Sequence, residues 1–143
     1  MSLESCNGLP RAGSLALALL LLAPASGAAA RDIAREFPFD QELLLDTPPM
    51  RGSKRVPMLE IAANGAVVID LWCNSVQGQI VVVEDTITIM TGPKTDHSCP
   101  PERARGDEEV LSSLMQVTNW RRESDAVLLL VGPRTLCFRK ATN

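Results

Sequence analysis

Beyond residue 40, apolar and polar positions alternate along most of the chain, which predicts a β-rich domain interrupted by one helix. Residues 42–46 are apolar at their centre and are stopped by Pro48-Pro49, so they read as a first strand. Asn64-Gly65 stands between two strand-like runs, 57–62 and 66–72, and both residues of that dipeptide tolerate positive φ, which predicts a tight hairpin. In the second run Val67, Ile69 and Leu71 share one face, and Val68, Asp70 and Trp72 the other. A second hairpin follows, with residues 79–83 and 86–90 joined by Glu84-Asp85. Residues 91–105, rich in Gly, Pro, Ser and charge, read as a loop.

Helical spacing then takes over. Val110, Leu111, Leu114, Met115 and Val117 recur on one side of a segment ending near Thr118. Gly106-Asp107-Glu108-Glu109 reads as its start, with Asp107 as N-cap and the acids at the positive end of the helix dipole. Three more short strands, 120–122, 127–131 and 135–140, are separated by Ser124-Asp125 and Gly132-Pro133 turns. Strands, one helix, then strands predict an α+β domain: a small curved antiparallel sheet, an open barrel-like meander, packed on a single α-helix.

The length of 143 residues, 45% apolar and 22% charged, accommodates one such domain. Its N-terminal part has a different character. Arg11 precedes an apolar run at 15–23, then Pro24 and the small residues Ala25-Ser26-Gly27-Ala28-Ala29-Ala30. This is the layout of a secretory signal peptide over residues 1–30, with cleavage after Ala30 or Ala28. The run is far shorter than the roughly 20 residues that span a bilayer, so no membrane span is expected after cleavage. Residues 31–39 read as a flexible lead-in and 40–143 as the domain. The expected location is periplasmic or secreted, and the expected state a monomer.

A formal net charge of −3 leaves no electrostatic footprint for nucleic acid. His97 is the only histidine, and with Cys73 and Cys99 it falls short of the four ligands of a structural zinc, so neither metal nor cofactor is expected. One histidine and no glycine-flanked nucleophile turn also leave no hydrolase set, and no catalytic residue is assigned. Asp107, Glu108 and Glu109 are explained as helix-start acids, and Trp72 and Trp120 as core or rim residues. Export leaves Cys73, Cys99 and Cys137 in an oxidising compartment. Cys73 ends a strand, Cys99 lies in the loop returning to the helix, and alternation around Leu136 and Phe138 turns Cys137 outward. The expected disulfide is Cys73–Cys99, with Cys137 an exposed free thiol.

From Asp46 onward the pattern resembles the META domain family, which includes the heat-shock protein HslJ. The resemblance is carried by the Asn64-Gly65 hairpin, Cys73-Asn74 followed by Gly78, Met90-Thr91 and Cys99-Pro100. The helix residues Glu108, Glu109, Leu111 and Leu114 and the closing strands with Leu128, Leu130, Leu136 and Phe138 complete it. Trp72 stands where the family usually has glycine, and Gln79-Ile80 replace its usual aromatic. The resemblance implies a small envelope or secreted domain, linked in some members to stress and drug tolerance, with no established enzymatic activity. The function expected is therefore a non-catalytic module that binds an unknown protein or small ligand in the envelope or maintains the envelope. Two rivals are a thiol-redox or metal-binding role for Cys73, Cys99 and His97, and a secreted inhibitor presenting the 91–105 loop.

Overall fold

The structure, a computed structural model, describes residues 37–142. The expected signal peptide and most of the lead-in lie outside the described residues. Eight antiparallel strands follow one another around a closed barrel: β1 (Gln41–Leu45), β2 (Met58–Ile61), β3 (Ala66–Asp70), β4 (Ser75–Val83), β5 (Thr86–Lys94), β6 (Asn119–Glu123), β7 (Ala126–Val131) and β8 (Arg134–Lys140). One helix, α1 (Pro101–Met115), connects β5 to β6. The α+β composition holds, but the sheet is not open: β8 pairs with β1, placing Leu43 opposite Lys140 and Leu45 opposite Phe138. Closure removes the unpaired edges that an open meander would leave. It is thinnest between β5 and β6, which share the single register pair Thr86–Asn119, and α1 packs against β5 beside that seam.

Strand alternation fills the interior. Leu43, Leu59, Ile69, Ile87, Leu129 and Phe138 point inward and are each at most 2% exposed, with Leu114 of α1 completing the packing. The chain already belongs to this core at Phe37, 4% exposed and edge-on to Trp120 with ring centroids 4.9 Å apart. Phe37 and Phe39 thus pack against the barrel ahead of β1. Trp120 is anchored in turn by its indole N–H, which donates to the Glu84 carbonyl at 2.8 Å.

Both hairpins form. In the first, only Gly65 takes positive φ (82°), while Asn64 accepts the Ala66 N–H on its side chain at 3.0 Å. The Ala62 N–H donates to the Ala66 carbonyl, so the loop is three residues with a left-handed glycine at its end, not a two-residue turn.

The helix differs most from expectation. It starts at Pro101, with Pro100 as N-cap, and Asp107 sits in its interior. Proline lacks an N–H and has φ preset for the first helical turn, so the Cys-Pro-Pro run is itself the start signal. Gly106 is also internal: a Cβ there would lie 2.7 Å from Trp72 Cδ1 and 2.3 Å from Met50 Cε, so glycine lets the helix approach Trp72. Consequently the expected 91–105 loop shrinks to residues 95–100, its flanks being β5 and α1. Met115, expected on the buried side, is 59% exposed.

Candidate functional site

Two places on the domain concentrate polar side chains. The first is the corner between β3 and β4, where Cys73 and Asn74 turn the chain. The Leu71 N–H donates to the Asn74 carbonyl at 2.8 Å, which closes that corner. Asp107 reaches it from α1, is 0% exposed, and accepts three N–H groups. These are the Cys73 backbone at 3.2 Å, the Asn74 backbone at 3.0 Å and Asn74 Nδ2 at 3.0 Å. Burying a carboxylate is tolerated only when its lone pairs are met in this way.

Asn74 is the hub. Its Oδ1 accepts the Thr95 hydroxyl at 3.1 Å and the His97 backbone N–H at 2.9 Å, while Nδ2 also donates to Cys99 Sγ at 3.2 Å. Thr95 Oγ1 in turn accepts the Ser75 N–H at 3.0 Å. Cys73 and Cys99 are joined by a disulfide, as expected, and no buried side-chain nitrogen or oxygen among the described residues lacks a partner. The motif residues Cys73, Asn74 and Cys99 therefore converge with Asp107 into a saturated latch that ties residues 95–100, α1 and the β3–β4 corner together. Asp107 was not legible as part of it, since three acids in a row look like a helix start. Gly78 and Thr91 lie elsewhere, paired across β4 and β5, where a Cβ on Gly78 would stand 2.3 Å from the Met90 carbonyl oxygen. Pro100 caps the helix.

His97 is exposed and contributes its backbone N–H to the latch. Among the described residues no three of His, Cys, Asp and Glu are grouped to hold a metal ion. Nearby, Lys94 pairs with Glu108, and that hydrogen bond holds its ammonium above the usual lysine range.

Cys137 is not the exposed free thiol expected from strand alternation. Alternation does turn it away from the core, but it is only 8% exposed, packs with Ala126 and Leu128 and lies 3.9 Å from Asp46 Oδ2. Arg139 closes over the same carboxylate at 3.0 Å. None of the described cysteines carries a free thiol. Facing outward did not mean reaching solvent, because neighbouring side chains cover that patch.

The second place is a groove of about 610 Å³ on the β1–β4 side. Its lining includes Asp40, Glu42, Glu60, Val68, Gln77 and Lys140. Register explains the row: Glu42 pairs with Glu60, Glu60 with Val68 and Val68 with Gln77, all on the outer face. Two carboxylates directly opposite each other repel, and none of the ion pairs among the described residues involves either one.

A closed antiparallel barrel buttressed by one helix, with a saturated polar latch and a groove on the β1–β4 side, defines a small disulfide-stabilised β-barrel module. The META domain profile matches residues 42–142, and the chain belongs to the META domain family. No curated protein matches the sequence. Among solved structures, an NMR structure of a protein from Burkholderia xenovorans shares the fold at 17% identity and a TM-score of 0.61, covering 94% of this chain and all of that one. A second NMR structure shares it at 12% identity and a TM-score of 0.55, covering 70% of this chain and 88% of the other.

Proposed function

We propose that this META domain is an exported, non-catalytic binding module of the cell envelope or secreted fraction, and that its outer groove is the contact surface. The observation that carries the reading is the Glu42–Glu60 pair. On a scaffold whose buried side-chain polar groups are matched, two facing carboxylates that enter no ion pair among the described residues line a ligand-sized concavity in which Lys140 is the one basic side chain. Local rules broken without structural compensation mark functional surfaces. A ligand with a primary ammonium group, either a small polyamine or a lysine-bearing segment of an envelope protein, would relieve that repulsion, and Gln77 would supply hydrogen bonds.

Support for a non-catalytic role comes from the latch. Asp107 and Asn74 spend their hydrogen-bonding capacity on the fold, so neither is available to a substrate. Export is supported by the signal-like N-terminus together with the Cys73–Cys99 disulfide, which belongs to oxidising compartments. No helix of the described residues is long and apolar enough to cross a membrane.

The test is affinity capture from envelope extract by the mature protein, alongside calorimetric titration with spermidine. Wild type is expected to bind, and the Glu42→Gln/Glu60→Gln double variant to lose binding at least tenfold while keeping its melting temperature. Equal binding by both proteins would refute the groove assignment.

A further inference from the structure

We propose that the Cys73–Cys99 disulfide is polarised for thiol–disulfide exchange with a dithiol reductant: Cys73 Sγ is the sulfur attacked and Cys99 leaves as the thiolate. The asymmetry is built into the latch. The Asn74 amide has only one orientation that fits its neighbours, because the His97 N–H must donate to an oxygen and the Asp107 carboxylate must accept from a nitrogen. That orientation aims Nδ2 at Cys99 Sγ, 3.2 Å away. Cys99 also stands two residues before the first residue of α1, a 15-residue helix, where the dipole favours negative charge. Cys73 has the opposite surroundings. Its backbone N–H donates to the Asp107 carboxylate at 3.2 Å, and no hydrogen bond among the described residues reaches its Sγ. Both cysteines are half-buried rather than sealed in the core.

The exchange proceeds in two displacements. A thiolate of the reductant attacks Cys73 Sγ; the S–S bond breaks and its electron pair departs on Cys99 Sγ. The reductant's second thiol, as thiolate, then attacks its own sulfur in the mixed disulfide and expels Cys73, which takes up a proton. Two electrons pass to the protein and the reductant closes its own disulfide. The hydrogen bonds that Asn74 donates to Asp107 and accepts from Thr95 and His97 do not depend on the S–S bond, so the reduced barrel keeps its latch and the step is reversible.

Two measurements test this on the full mature protein. In the first, oxidised protein is treated with glutathione, quenched with acid and peptide-mapped; the glutathione adduct is expected on Cys73. In the second, reduced protein is pulse-alkylated with iodoacetamide across a pH series. Cys99 is expected to show the lower apparent pKa and to react about tenfold faster than Cys73 near neutrality. Urea is expected to abolish the gap. An adduct on Cys99, no adduct, equal pKa values, or unfolding of the barrel on reduction would overturn the proposal.

Discussion

Replacing Asp107 by alanine removes the acceptor of three N–H groups at once. Two of them, on Asn74, are buried and cannot turn to water, while the third, on half-exposed Cys73, can partly do so. A buried donor left unsatisfied costs about 1–3 kcal/mol, which gives about 2–6 kcal/mol for the Asn74 pair. Relief of the desolvation suffered by the native carboxylate offsets part of this, so Asp107→Ala is expected to lose about 3–4 kcal/mol. For a domain of this size that is a fall in Tm of roughly 12–25 °C. The assay is urea unfolding at neutral pH with the disulfide intact, with exposed Glu109→Ala as a control expected within about 0.5 kcal/mol of wild type. Asp107→Asn, which keeps one acceptor oxygen, should fall between them. A loss below about 1 kcal/mol for Asp107→Ala would show that the latch does not hold the fold and that Asp107 is held for another purpose.

Other consequences follow from the same packing. Leu114→Ala, at a position 0% exposed, is expected to cost about 2–4 kcal/mol, whereas Met115→Ala one residue on should change stability by less than about 0.5 kcal/mol, both read from denaturant midpoints. Gly106→Ala should destabilise by about 1–3 kcal/mol despite alanine's better helix propensity, because the methyl group meets the Trp72 ring, and thermal melts will show it. Removing the disulfide as Cys73→Ala/Cys99→Ala, with a separation of 26 residues, should cost about 3–4 kcal/mol in the chain-entropy account, measured against oxidised wild type. Intact mass of the exported protein is expected to place its N-terminus near Arg31.

Most of the barrel was legible because period-two alternation is strong in strands with one buried face: Val67, Ile69 and Leu71 share a face in the sequence pattern, and the structure makes it the buried one, at most 5% exposed. Closure was not legible, since the β1–β8 pairing joins the two ends of the domain and leaves no local trace. The helix start was misplaced because Asp107-Glu108-Glu109 imitates a capping sequence, while Pro101 in the first turn was read as loop. That single error hid the latch, because it set Asp107 at a solvent-facing cap rather than one face further round, against Asn74. The Cys73–Cys99 pair was legible from placement alone. The cover over Cys137 was not, since alternation reports direction and says nothing of what packs outside. Nor was the groove, because Glu42 and Glu60 are ordinary exposed strand residues until register sets them face to face.

The binding reading meets its most direct test in amide chemical-shift mapping of the mature, disulfide-intact protein during titration with spermidine. Saturable shifts centred on Glu42, Glu60, Val68 and Gln77, with residues 95–99 and Asp107 unmoved, are the predicted result. Shifts centred on the Cys73–Asn74 corner, or none at any concentration up to the millimolar range, would contradict it.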